Sequence, residues 1–73
     1  MTKAEAEKLY GKYVELRDSK GVKDVDIADA TGIRRSCFSD WKGNRSAPDV
    51  TKLIKIASFF GMTVEEFLKG VII

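Results

Sequence analysis

Recurrent glycines are the feature of this sequence that most restricts its fold. They divide the chain into short blocks at Gly21, Gly32, Gly43, Gly61 and Gly70. Within the blocks, apolar residues recur at helical spacing, and no stretch alternates between polar and apolar as a strand would. The pattern therefore predicts an all-α fold in which five short helices surround one core.

The length and the cysteine count limit how such a fold is stabilised. The chain has 73 residues, one cysteine and no histidine. This size allows one domain, residues 1–73, and the composition excludes a disulfide framework and a Cys/His zinc site. We expect a fold held by its hydrophobic core alone, with no cofactor and no metal.

Two short helices follow a longer first one. Thr2 and Glu5 form a capping-box pattern that opens the first helix, which ends near Gly21. Its predicted apolar face consists of Leu9, Tyr13 and Leu16. The second helix covers roughly 24–31, and its apolar positions are Val25, Ile27 and Ala28.

The third predicted helix, roughly 35–42, has two distinct faces. Phe38 and Trp41 are three residues apart and face the core together. The residues that face outward are Arg35, Ser36, Ser39 and Asp40. Cys37 is interpreted as a semi-buried small hydrophobe with no cation against it.

A polar loop over 43–48 leads to the last two helices. Asp49 is a predicted N-cap for a mostly buried fourth helix whose apolar residues are Val50, Leu53, Ile54, Ile56, Ala57 and Phe60. We expect Phe59 to be partly exposed, because it and Phe60 are adjacent. Thr63 and Glu66 form a second capping box, which starts a fifth helix that ends at Gly70.

The C-terminal tail, residues 70–73, ends in three apolar residues and allows three arrangements. It folds back onto the first and fifth helices, pairs with a second subunit, or leads to a further domain.

Charge is concentrated in one segment. The chain as a whole carries a net charge of +2. Residues 30–46 alone carry a net +3, from Arg34, Arg35, Lys42 and Arg45 against Asp40. Such an asymmetry is typical of a surface that binds an anionic partner.

Other classes of protein find little support. The N-terminus is too polar for a signal peptide, and no apolar run is long enough to span a membrane, so we expect a cytoplasmic protein without membrane association. No histidine, glycine-rich phosphate loop or nucleophile–base pair is evident, so we expect no enzyme. No small-molecule ligand is evident either.

The order of these motifs over residues 16–68 resembles the Cro/CI-like (lambda-repressor-like, XRE-type) DNA-binding domains. The run from Gly32 to Gly43 is similar to the turn and recognition helix of that family. The segments 47–57 and 60–68 are similar to its fourth and fifth helices. The resemblance implies a helix-turn-helix at about 23–43 that places its third helix in the major groove of double-stranded DNA.

The resemblance also implies roles for individual residues. The positions that read bases correspond to Arg35, Ser36, Ser39 and Asp40. For Asp40 the alternative is a surface position, or a pairing with a neighbouring arginine. The positions that contact the DNA backbone correspond to Lys23, Asp24, Asn44 and Arg45, and we add Arg34 for its charge beside the third helix.

Three departures from the family pattern are evident. The common glutamine at the start of the second helix is Asp24, and Lys23 and Arg34 occupy the usual Ser/Thr cap positions. Arg17 lacks the acidic partner that some members have, because position 42 is a lysine, so it needs another.

Two functions remain open. The leading hypothesis is a sequence-specific transcriptional regulator, a repressor of phage or mobile-element type that binds a pseudo-palindromic operator as a homodimer. The alternative is a protein-binding module of the same fold, such as an antitoxin or anti-repressor, as the apolar tail and the acid at position 24 suggest.

Overall fold

The chain folds into five α-helices joined by short turns. The computed structural model describes residues 1–73. The helices are α1 Lys3–Lys20, α2 Asp24–Thr31, α3 Arg35–Lys42, α4 Val50–Phe59 and α5 Val64–Leu68. The predicted all-α fold is confirmed, and the predicted limits of the second and third helices match the observed ones.

Glycine ends both α1 and α2 for a conformational reason. Gly21 and Gly32 have φ angles of 72° and 76°, in the left-handed region that a side chain disfavours. The Gly32 N–H donates to the Ala28 carbonyl, which closes α2 before the chain turns into α3. This turn sets the angle between the two helices of the helix-turn-helix.

Three of the five helices begin with a side-chain cap. The side chains of Thr2, Asp49 and Thr63 accept hydrogen bonds from backbone N–H groups three residues further along. The capping boxes predicted at Thr2 and Thr63 are both present, as is the predicted cap at Asp49. These caps fix where α1, α4 and α5 begin.

The core is centred on aromatic side chains from α1 and α3. Tyr13 is fully buried, and its ring centroid lies 5.1 Å from that of Trp41 and 5.5 Å from that of Phe38. Trp41 is only 2% exposed, and its Nε1 donates to the Ala6 carbonyl oxygen at 3.1 Å. The inward orientation expected of Phe38 and Trp41 is confirmed, and α3 is thereby anchored on α1.

One face of α4 is less buried than expected. Leu53, Ile56 and Ala57 lie in the core, whereas Val50 is 65% exposed and Ile54 is 50% exposed. Val50 and Ile54 are four residues apart and therefore share the opposite stripe of the helix. The prediction that α4 is buried on most sides was wrong at these two positions.

Two adjacent phenylalanines lie where α4 ends. Phe59 and Phe60 are both half-buried against the core, and their rings meet edge to face at 5.3 Å. Both reach the core because α4 ends at Phe59 and the backbone turns at Phe60. Phe59 is partly exposed, as expected, and Phe60 is partly exposed as well. Lys20 Nζ lies 5.3 Å from the centroid of the Phe59 ring.

The C-terminal tail turns back on α5. Val71 packs against the core, whereas Ile73 is 68% exposed. Lys12 on α1 donates from Nζ to the carbonyl oxygens of Glu66 and Lys69, at 2.7 and 3.0 Å. This arrangement corresponds to the first of the three expected for the tail.

No helix combines the length and apolar character needed to cross a bilayer.

Candidate nucleic-acid interface

The outer face of α3 presents a row of polar side chains. The turn before α3 is anchored by Ile33, which is 7% exposed, while Phe38 and Trp41 hold the inner face. The opposite face therefore points away from the core. Arg35, Ser36 and Ser39 are exposed there, and Asp40 is half-buried. The structure brings together the four residues predicted to read bases.

Most cations around this face are without an acidic partner. The ion pairs of the chain involve only Arg17 and Arg45 among its basic residues. Arg34, Arg35 and Lys23 are exposed and form none of them. Their charges are therefore available to an external anion.

The N-termini of α2 and α3 lack the side-chain caps found on the other helices. Their N-cap residues are Lys23 and Arg34, and neither side chain accepts a backbone hydrogen bond. The backbone N–H groups of Arg35 and Ser36 have no hydrogen-bond partner within the chain. Unpaired N–H groups at a helix N-terminus carry partial positive charge and favour an anion.

Lys23 takes part in half of a capping box. The Asp26 carboxylate accepts from the Lys23 backbone N–H at 2.9 Å, but a lysine ammonium offers no acceptor in return. The start of α2 is thus partly stabilised by Asp26, but no side chain at position 23 accepts a hydrogen bond from the first N–H groups of the helix.

Asp24 is tied into the protein rather than free on the surface. Its Oδ1 accepts from the Tyr13 hydroxyl at 2.6 Å and from Arg17 Nη1 at 3.0 Å. Arg17 also pairs with Asp18 through Nε at 3.2 Å. The partner that Arg17 needs is therefore Asp24, the residue that replaces the family's common glutamine.

This network shifts the protonation equilibria of its members. Burial and the hydrogen bond to Asp24 both raise the pKa of Tyr13. The hydrogen bond to Asp24 raises the pKa of Arg17, although burial opposes it. The network therefore favours the neutral form of Tyr13 and the charged form of Arg17.

The loop between α3 and α4 is hydrogen-bonded to α1 and to α3. Asn44 adopts a left-handed conformation with φ 56°, and its Nδ2 donates to Glu7 Oε1 on α1 at 3.0 Å. Arg45 Nε donates to Asp40 Oδ1 at 3.1 Å, and Arg45 Nη2 donates to the Ser39 carbonyl at 3.3 Å. Two predicted backbone-contact residues are therefore held beside the end of α3.

Two contacts were missed by reasoning from the sequence. Glu7 positions Asn44 from 37 residues away, a distance over which no local pattern gives a signal. Lys52 Nζ lies 3.5 Å from Cys37 Sγ, so the expectation that no cation lies against this thiol was wrong. Cys37 faces α4, which carries Lys52, and is half-buried as expected.

The fold agrees with comparison to known proteins. The helix-turn-helix family model matches residues 15–67. The chain belongs to this family. The resemblance to the Cro/CI-like type is thereby confirmed, and the five-helix architecture is that of the lambda-repressor-like fold.

Three regulators illustrate the similarity. The chain is 38% identical over 64 residues to the HTH-type transcriptional regulator DdrOP3 of Deinococcus deserti, covering 88% of this chain and 50% of the relative. It is 29% identical over 63 residues to the SPbeta prophage-derived HTH-type transcriptional regulator YonR of Bacillus subtilis, covering 85% and 58%. It is 29% identical over 59 residues to the HTH-type transcriptional activator BcrR of Enterococcus faecalis, covering 81% and 29%. The chain thus spans 29% to 58% of the length of these relatives.

Proposed function

We propose that this helix-turn-helix domain binds double-stranded DNA sequence-specifically and regulates transcription, with α3 lying in the major groove. The observation that carries the proposal is the exposed polar face of α3, flanked by unpaired cations and uncapped helix N-termini. An α-helix with its side chains is about 10–12 Å across, which suits a major groove about 12 Å wide. A cytoplasmic location follows from this role and stays a prediction.

Base reading falls to the outer face of α3. Arg35 is exposed and unpaired, and its fork of donors suits the O6 and N7 atoms of guanine. Ser36 and Ser39 offer hydroxyls that bond base edges with little discrimination. Asp40 is an acceptor suited to the amino group of cytosine.

Backbone contacts surround this face. Lys23 and Arg34 supply unpaired positive charge, Arg45 supplies the N–H groups of Nη1, and Asn44 supplies an amide. The carboxylate of Asp24 is hydrogen-bonded to Tyr13 and Arg17, so this residue contacts the DNA through its backbone N–H instead. That N–H has no acceptor in the chain. Phosphate contacts of this kind fix the register of the protein on the duplex.

A repressor of phage or mobile-element type, acting as a homodimer on a pseudo-palindromic operator, is the finer form of the proposal. One relative is named as prophage-derived, which supports the phage origin. The domain measures 27 × 24 × 21 Å, so two copies on half-sites about 34 Å apart lie next to each other on one face of the duplex. Repression is the part supported least, because another relative is named as an activator.

Selection of genomic fragments followed by fluorescence anisotropy tests the proposal. We expect one enriched site with two symmetric half-sites, and weaker binding to a scrambled duplex of equal length. Arg35→Ala should lower operator affinity by about 1–3 kcal/mol and relax the preference at one base pair of each half-site. Lys8→Ala on α1 removes an exposed cation outside the proposed interface and is the matched control.

Equal affinity for operator and scrambled DNA would refute the proposal. So would an Arg35→Ala variant that binds as the unchanged protein does.

A protein-binding module, such as an antitoxin or anti-repressor, is the second candidate. The exposed Val50 and Ile54 on α4 favour it, and Ile54 also borders an open groove of about 380 Å³. Asp24 no longer supports this candidate, since its charge is used by Arg17. A stoichiometric partner in purification, together with no salt-dependent DNA binding, would favour this function over the first.

A further inference from the structure

Asp40 and Arg45 form an ion pair at the end of the proposed reading face. Arg45 Nε donates to Asp40 Oδ1 at 3.1 Å, and Arg45 Nη2 donates to the Ser39 carbonyl at 3.3 Å. Two of the three guanidinium nitrogens are therefore engaged with α3. Asp40 Oδ2 has no hydrogen-bond partner and remains available as an acceptor.

A backbone hydrogen bond joins the same two residues. The Arg45 backbone N–H donates to the Asp40 carbonyl at 2.8 Å, so the loop returns to the residue that its side chain contacts. The side chains of Arg45 and Asp40 are 64% and 43% exposed, and exposed pairs of this kind contribute about 0–1 kcal/mol to stability. The Asp40–Arg45 pair therefore contributes little to the stability of the fold.

An acidic residue on a DNA-facing helix has an electrostatic difficulty. A carboxylate that approaches the groove is repelled by the phosphates on either side. A guanidinium bonded to one of its oxygens cancels this charge, and it also fixes the direction of the other oxygen. Asp40 has such a partner, whereas Arg34 and Arg35 are unpaired.

We propose that Arg45 is a positioning residue that neutralises and orients Asp40, so that Asp40 accepts a hydrogen bond from the amino group of a cytosine in the major groove. This inference rests on the proposed function, and it assigns the sequence preference at one base pair of each half-site to the Asp40–Arg45 pair. Arg45 Nη1 remains available for a phosphate, so the guanidinium serves the reading face and the backbone together.

Gly43 provides a way to move the guanidinium without changing any charge. A Cβ atom built on Gly43 would lie 2.5 Å from Arg45 Nη1 and 3.0 Å from Arg45 Cζ. The Gly43 φ angle of −80° is one that any residue adopts. Gly43→Ala therefore preserves the backbone and forces the Arg45 side chain away from its place beside Asp40.

The experiment measures base preference at every operator position. The wild-type chain and the variants Asp40→Asn, Arg45→Gln and Gly43→Ala bind a set of duplexes in which each base pair of the selected site is replaced in turn. Asp29→Asn removes one exposed acid from α2 and is the control for net charge. Circular dichroism melting verifies that each variant is folded.

We expect the wild-type chain to prefer cytosine by about tenfold at one position of each half-site. Asp40→Asn abolishes this preference. Arg45→Gln and Gly43→Ala reduce it at the same position and leave the preferences at other positions unchanged. Asp29→Asn alters affinity for all duplexes equally.

Three results would overturn the inference. The first is a uniform loss of affinity in Arg45→Gln with every base preference intact, which makes Arg45 a phosphate contact only. The second is an Asp40→Asn variant whose base preference equals that of the wild-type chain at every operator position. The third is a wild-type chain that binds all duplexes equally, which removes the proposed function as well and is thereby distinguishable from the other two.

Discussion

The Tyr13 hydroxyl donates a hydrogen bond to Asp24 Oδ1 at 2.6 Å, which joins the core of the domain to the first residue of α2. Tyr13 is fully buried between α1 and α3, whereas Asp24 lies at the edge of the helix-turn-helix. Arg17 completes the contact by pairing with the same oxygen at 3.0 Å. An acid at a position where family members often bind phosphate is thus explained by the architecture of the domain.

Removal of this carboxylate should destabilise the fold. In Asp24→Ala, the buried Tyr13 hydroxyl loses its acceptor and Arg17 loses its main partner, so the free energy of unfolding should fall by about 2 kcal/mol. Urea unfolding followed by circular dichroism measures the change. Asp29→Ala, at an exposed acid of the same helix, should stay within about 0.5 kcal/mol of wild type. Equal effects of the two substitutions would contradict a structural role for Asp24.

Tyr13 should also make the domain sensitive to alkaline pH. Burial and the hydrogen bond to Asp24 raise its pKa above the ordinary value near 10. Above pH 10 the unfolded chain loses this proton while the folded chain keeps it, so stability is complete below pH 10 and falls as the pH rises further. We expect a loss of about 1.4 kcal/mol per pH unit from this residue.

Unfolding measured from pH 8 to 11.5 tests this slope against Tyr13→Phe, which has no proton to lose at position 13. The variant should start less stable, because its hydrogen bond is missing, and should lose stability less steeply above pH 10. Tyr10, whose pKa burial also raises, accounts for a remaining slope in both proteins. Parallel curves for the two proteins would show that Tyr13 ionises freely in the folded state.

The two stripes of α4 should respond differently to truncation. Leu53 is 3% exposed, so Leu53→Ala removes buried methyl groups and leaves a cavity, which costs about 2–5 kcal/mol. Ile54 is 50% exposed, so Ile54→Ala should cost less than about 1 kcal/mol. Chemical denaturation of both variants gives the comparison. A cost at Ile54 equal to that at Leu53 would mean that α4 is buried on both stripes.

Local signals in the sequence predicted most of this fold. The caps at Thr2, Asp49 and Thr63 and the glycine after α2 are encoded within three or four residues, and the structure contains them all. The outward face of α3 was equally predictable, because Phe38 and Trp41 determine which side faces the core. Helical periodicity therefore predicted which side of α3 is exposed, and the family resemblance assigned that side to DNA.

Contacts between distant segments were beyond such reasoning. The Asn44–Glu7 hydrogen bond depends on how the α3–α4 loop lies against α1, and the Lys52–Cys37 contact depends on where α4 lies relative to α3. Exposure of Val50 and Ile54 has the same origin, because apolar content does not reveal which stripe of a short helix is covered. The sequence shows which side chains are present, whereas tertiary packing determines which of them contact one another.

The cap positions of α2 and α3 should show an exchange of stability for DNA affinity. Both N-cap residues already have extended backbone, and Asp26 already accepts from the Lys23 N–H, so Lys23→Thr completes a capping box and Arg34→Ser adds a missing cap. Each substitution should raise the free energy of unfolding by about 1 kcal/mol, or the melting temperature by about 4–8 °C. Each should also weaken operator binding and reduce the slope of log affinity against log salt by about 0.9, because one phosphate contact is lost.

Lys8→Gln on α1, the control for net charge, should change neither the melting temperature nor the salt slope. A more stable Arg34→Ser protein with an unchanged slope would show that the end of α3 does not meet a phosphate, since the cation would then have been removed without consequence.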